Sequence, residues 1–149
     1  MPKGEIEILG LKEIERTLES AMPKHARRIG RRAITRLGRE VRDDARQRAP
    51  VGATRNLVRS IKSRRKGGRR DREEAAVYVD RSGGRSGKGY HWHLLEFGTR
   101  KMSAQPFIQP TIVAWRPKAP DEYARLWWPE FEKEMEREGQ RQAARAGIR

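Results

Sequence analysis

The chain has 149 residues, 35% hydrophobic and 37% charged, with 35 Lys and Arg against 20 Asp and Glu for a formal net charge of +15. That size suits one domain with a modest core, but so low an apolar fraction leaves a lone monomer little burial to set against conformational entropy. With no cysteine, no window near the roughly 18–20 apolar residues of a membrane span and no secretory h-region in MPKGEIEILGLKEIERTL, disulfides, thiolate metal sites and membrane insertion are excluded.

Two outcomes fit this composition: part of the chain stays disordered, or neighbouring subunits supply stability. The basic excess favours a polyanion, chiefly nucleic acid, without implying that bases are read. A soluble, self-repelling surface is the plainer alternative. The expected setting is the cytoplasm, or the inside of a particle made there.

Residues 5–9, EIEIL, alternate as a short strand does, and Leu11, Ile14 and Leu18 then recur at helical spacing. Pro23 suits a first helical turn. From it Ala26, Ile29, Ala33, Leu37, Val41 and Ala45 recur every three or four residues, with Ile34 widening the stripe. A helix is predicted over Pro23–Arg48, roughly 39 Å long, and Pro50 ends it. The opposite face is crowded with arginine, which reads equally as a solvated face or as a surface for DNA or an acidic partner.

Residues 51–55 read as a loop, and 57–63 and 75–80 as two strands, with Val77 and Val79 on one face and Tyr78 on the other. Gly67 and Gly68 mark the turn between them, giving a flexible basic hairpin at 63–72. Residues 81–89, RSGGRSGKG, read as a flexible loop and not as a phosphate-binding P-loop. The required spacing puts Ser82 at the first glycine and Gly89 where Ser or Thr must ligate magnesium.

Residues 90–97 are rich in aromatics, and 103–110 carry two prolines around Phe107 and Ile108. Residues 111–115 suit a helical turn or two, and a helical extension is predicted over 121–146, with Asp121 as N-cap and an interruption at Pro129. Residues 121–138 hold Asp121, Glu122, Glu130, Glu132, Glu134, Glu136 and Glu138 against only Arg125, Lys133 and Arg137. Such asymmetry between basic and acidic halves suits head-to-tail contacts between copies, and it suits an intramolecular contact as well.

RQRAPVGATRNLVRSIK, a strand pair and HLLEFGTRKMSAQPFIQPTI follow one another along the chain. This order resembles the gene-product-ten-like morphogenesis proteins of the Hong Kong ninety-seven phage type. Their pattern is RAPV-x-TG-x-L-x-x-SI followed by YAxxVEFGTxxMPARPFLRPA. The resemblance covers residues 26–113. It departs at Arg55, where the pattern has glycine, at Ser103, where it has proline, and at Gln105 and Gln109, where it has arginine. The 81–89 loop and the Trp-rich C-terminal helix look like features of this member.

The resemblance implies an α+β fold, with a long N-terminal helix packed on a small antiparallel sheet and a C-terminal helix, in a single domain over 1–149. It implies a virion protein of a tailed siphophage, made in the host cytoplasm, that acts in tail completion, at the neck or in head–tail joining. Its partners would be a ring of copies, six by analogy with other tail-end rings, neighbouring connector, tail-terminator or tail-tube proteins, and packaged DNA met through phosphates.

The expected subunit interface is Leu95, Glu96, Phe97, Gly98, Thr99, Arg100, Met102, Pro106, Phe107 and Pro110. Within it, Leu94 and Phe97 are expected to anchor the core, Gly98 to permit a tight turn, and Glu96 to pair with a basic group. The expected DNA-channel residues are Arg64, Arg65, Lys66, Arg69, Arg70 and Arg72. His91 and His93 would share a face if on a strand, but no third ligand is apparent for a metal. Tyr90, Trp92, Trp115, Trp127 and Trp128 suit a core or a subunit interface. No nucleophile, base and orienting group stand at a telling spacing, so no enzyme activity and no cofactor are expected. The alternative function is a free, non-sequence-specific nucleic-acid-binding protein.

Overall fold

The computed structural model describes residues 5–7, 23–66, 73–82, 89–145 and 147. The predicted helix over 11–18, the Gly67–Gly68 turn and most of the 81–89 loop lie outside them.

Helix α1 spans Pro23–Arg48, as its periodicity predicts. Ala26, Ile29, Ala33, Ile34, Leu37, Val41 and Ala45 are all buried, so one stripe supplies the centre of the core. Ala49 donates its N–H to the Ala45 carbonyl at 3.0 Å, and Pro50 stops propagation. Arg46 and Arg48 in the last turn favour the negative end of the helix dipole. Arg46 also reaches across to hold the Ile61 carbonyl with two N–H groups, at 3.0 and 2.8 Å. Desolvation in that position lowers its pKa.

The expected strand over 57–63 begins later. Residues Asn56–Ser60 form a short helix, α2, and strand β2 spans Ile61–Lys66. Leu57, Val58 and Ile61 stand at helical spacing and turn toward the same core. The Ser60 hydroxyl then closes the turn on the Leu57 carbonyl at 2.6 Å. Strand β3, Glu74–Val79, pairs antiparallel with β2 in the register Ile61↔Val79, Ser63↔Val77 and Arg65↔Ala75. Strand β1, Glu5–Glu7, pairs antiparallel with the other edge of β3, giving the order β1-β3-β2.

Helix α1 lies on the face carrying Ile61, Ala75, Val77 and Val79. Its approach depends on Gly38, where an added Cβ would sit 2.9 Å from the Ala75 Cβ. On the other face Arg64 lies over the Tyr78 ring, 4.9 Å from its centroid. Lys62 pairs with Asp80. Hydrogen bonds from Lys62 and from the Ser82 backbone hold the Asp80 carboxyl well below the usual carboxylate range.

Arg55 enters α2 with φ 52° and ψ 21°, in the left-handed region, and its N–H meets the Gly52 carbonyl at 3.0 Å. The glycine of the resembled pattern falls at this position. The turn is therefore kept, at a cost of about 1–2 kcal/mol for a residue bearing a Cβ. Arg55→Gly will raise stability by roughly 0.5–1 kcal/mol, the relief being partly offset by the freer unfolded chain. Urea denaturation will register this as a higher midpoint at unchanged slope.

The aromatic-rich segment that carries His91 and His93 is helical, so the shared face they would have on a strand is not formed: α3 spans Trp92–Phe97. Helices α4, Ile108–Trp115, and α5, Ala119–Arg145, complete the chain. Asp121 lies in the first turn of α5 rather than at its N-cap, and Pro129 does not interrupt it. Pro129 is exposed, so the carbonyl that it deprives of a partner, that of exposed Arg125, faces solvent. Buried Leu126 and Trp127, with Phe131 packed behind them, hold the helix on both sides of that point.

Helix α5 runs antiparallel to α1. Arg28 pairs with Glu134 at 2.6 Å, Arg32 with Glu130 at 3.6 Å and Arg125 with Glu40 at 3.0 Å. The basic and acidic halves thus meet within one chain. Burial would raise the Glu134 pKa, but the charge of Arg28 and hydrogen bonds from Arg28 and His25 outweigh it and lower the value.

Candidate functional site

The site begins with a buried carboxylate. Glu96, in the last turn of α3, is 7% exposed. Its Oε2 accepts the backbone N–H groups of Phe107 and Ile108 at 2.9 and 3.0 Å, and its Oε1 that of Gln109 at 2.8 Å. These are the orphan donors at the start of α4, where a negative charge is favoured twice over, by hydrogen bonding and by the helix dipole. The expected basic partner is therefore replaced by three main-chain donors. With both oxygens engaged, Glu96 is poorly placed to act as a base.

That clamp fixes a protruding loop. Gly98 has φ 72°, and an added Cβ would lie 2.9 Å from the Ala104 nitrogen and 3.0 Å from the Met102 carbonyl. Thr99 and Met102 exchange backbone hydrogen bonds at 2.8 and 3.3 Å, and the Gln105 N–H donates to the Leu95 carbonyl at 2.7 Å. Residues 99–106 are all exposed, yet the loop is closed at its neck and pinned at both ends.

The expected interface set divides in two. Glu96 and Phe107 turn inward, Phe107 being fully buried, and Leu95 and Pro110 are half-buried. Phe97, Thr99, Arg100, Met102 and Pro106 are exposed. Phe97 and Leu94 do not anchor the core, being 63% and 37% exposed. The core anchor of α3 is Trp92, whose ring lies 6.5 Å from that of Phe97. Trp115 and Trp127 are buried as well, while Trp128 is half exposed. The Trp115 indole N–H donates to Asp44 at 2.9 Å.

Of the expected channel residues, Arg69, Arg70 and Arg72 lie outside the described residues. Arg65 shares the Glu73 carboxylate with Arg31, at 3.0 and 2.9 Å, and so ties β2 to α1. Arg64 is exposed above Tyr78, and Lys66 is half-buried. Arg36 and Arg39 on α1 are exposed and have no acidic partner among the described residues. Among the described residues no group of three His, Cys, Asp or Glu side chains could hold a metal ion, and no helix is long and apolar enough to cross a membrane.

No curated protein and no solved structure matches the chain. A family model described as "Bacteriophage HK97-gp10, putative tail-component" matches residues 12–98. The match takes in α1, the β2–β3 pair and α3 with its Glu96, and stops at Gly98, the first residue of the protruding turn. Because it covers more than half of the 149 residues, and because its elements include the long helix and the β2–β3 pair on which that helix packs, the chain belongs to the HK97-gp10-like family of phage tail components.

Proposed function

We propose that this protein is a non-enzymatic ring subunit, six copies to the ring, at the head–tail interface or the head-proximal end of the tail, where it completes the tail and joins it to the head around the DNA channel. The observation that carries this reading is the clamped, exposed loop over residues 99–106 beside the exposed Phe97 and Leu94. Large apolar side chains on a rigid projection suit a neighbouring subunit. Burying what remains exposed of Phe97, 63%, and of Met102, 37%, contributes about 1–2 and about 0.5–1 kcal/mol, and the clamp has already met the ordering cost of the loop. Leu95, Glu96, Gly98, Phe107 and Pro110 shape this surface from within; Phe97, Thr99, Arg100, Met102 and Pro106 form its outer contact. Connector, terminator or tube subunits are the other neighbours, and the virion is the site of action.

The test is a phage carrying Phe97→Asp and Met102→Asp. Both side chains are exposed, so circular dichroism will show a folded protein. Electron microscopy will show filled heads and separate tails. Normal infectious particles would defeat the proposal. They are also the outcome expected of the second reading, a free nucleic-acid-binding protein, which draws on the +15 charge and the arginine-rich 63–72 stretch of the sequence.

A further inference from the structure

Between α1 and α5 runs an open groove of about 520 Å³. Arg31, Arg32, Arg36 and Arg39 line its α1 side, and Ala33 and Leu126 lie at its base. Glu130 of α5 closes one part of it and is engaged by Arg32 at 3.6 Å. Arg31 is engaged by Glu73. Arg36 and Arg39 are exposed and have no acidic partner among the described residues, so the groove keeps two uncompensated positive charges at the Arg36–Arg39 part of α1. We propose that this groove, and not the β2–β3 tip, is a binding site for the sugar–phosphate backbone of duplex DNA, held without reading its bases.

Three features favour a phosphate backbone over an acidic protein. The lining cations are all guanidinium groups, whose planar forks match phosphate oxygens. They run from Arg31 to Arg39 of α1, about 12 Å along the helix axis, so repeated positive charge meets a polymer of repeated negative charge. A protein partner would need an apolar anchor in the groove, and its two apolar residues, Ala33 and Leu126, are already buried within this chain at 3% and 6% exposure. The inference rests on the channel reading for where DNA is met, but the binding itself is a property of the isolated chain.

The test uses full-length protein and a fluorescein-labelled duplex of about twenty base pairs, with anisotropy titrations between about 50 and 200 mM NaCl. The Arg36→Ala/Arg39→Ala variant removes no described ion pair, and its melting curve will match that of the parent. The slope of log affinity against log salt will fall in magnitude by about 1.8, two phosphate contacts at about 0.9 each. Affinity at low salt will drop tenfold or more, equally for unrelated sequences. Arg36→Lys/Arg39→Lys will keep most of the slope, since charge is retained. An unchanged slope in the alanine variant would overturn the assignment. So would a loss of the same size in Arg64→Ala, which would move the contact to β2. Groove-dependent binding of a poly-glutamate peptide more tightly than the duplex would also overturn it, in favour of an acidic protein partner. None of these outcomes bears on head–tail joining, which the particle experiment tests separately.

Discussion

Glu96→Ala will destabilise the protein by about 3–5 kcal/mol, a large fraction of the roughly 5–15 kcal/mol that holds a domain folded. The carboxylate satisfies three main-chain donors at once, those of Phe107, Ile108 and Gln109. Truncation leaves the buried donors of Phe107 and Ile108 and the part-buried one of Gln109 without their acceptor, each costing about 1–3 kcal/mol if water cannot reach it, and it removes the negative charge that the helix dipole favours there. Glu96→Gln keeps one acceptor oxygen but turns an NH2 group toward one or two of the donors, so it will cost about 2 kcal/mol. Urea denaturation will order the three proteins as wild type, Gln, Ala. Near-wild-type stability in the alanine variant would mean that the clamp is not formed in solution. The same substitutions separate this role from catalysis, because a clamp predicts that loss of function follows loss of loop structure.

The long helix was legible from sequence because α1 carries one unbroken 3.6-residue period over seven turns and is bounded by prolines at 23 and 50. Shorter runs carry no such redundancy. Residues 57–60 and 92–97 are short runs in which helix and strand periods cannot be told apart; the first is helix where the sequence suggests the start of a strand, and the second is helix where the sequence suggests only an aromatic-rich segment ended by Gly98. Pro129 misled for a different reason: a proline disrupts a helix only if the orphaned carbonyl lacks another partner and the flanking packing is weak, and neither condition is visible in a linear pattern.

The role of Glu96 was the least legible of all. Its partners lie 11 to 13 residues downstream and are backbone N–H groups, which every non-proline residue carries, so no residue type marks them. The exposure of Phe97 follows from that clamp. Once Glu96 points inward on a one-turn helix, its neighbour must point out. The arginine-rich face of α1 was apparent in the sequence, but its partition into paired and unpaired guanidiniums depends on α5, whose antiparallel register no local pattern records.

The strongest dependence on that register lies at Trp127. Trp127→Ala will cost about 3–5 kcal/mol, although the residue lies well beyond the stretch that the family model matches. Trp127 is 2% exposed, stacks on Phe131 with centroids 4.7 Å apart, and shares the core with Ile29, Ile34 and Leu37 of α1. Of the ion pairs that bridge the same two helices, Arg32–Glu130 and Arg125–Glu40 have exposed arginines and contribute about 0–1 kcal/mol each, and Arg28, itself half exposed, pairs with the buried Glu134. Apolar burial therefore supplies most of the docking of α5, and the charges chiefly set its register. Two controls follow from that difference. Trp128→Ala, at a half-exposed neighbour, will cost about 1 kcal/mol or less, and 1 M NaCl will leave the wild-type midpoint nearly unmoved, since screening weakens ion pairs but not the packing. A large loss of stability in high salt, with Trp127→Ala tolerated, would reverse the ranking and make α5 an electrostatically held arm. If the ranking holds, residues 12–98 alone will not fold, because Phe107, Trp115, Tyr123 and Trp127 complete the core that the matched segment begins.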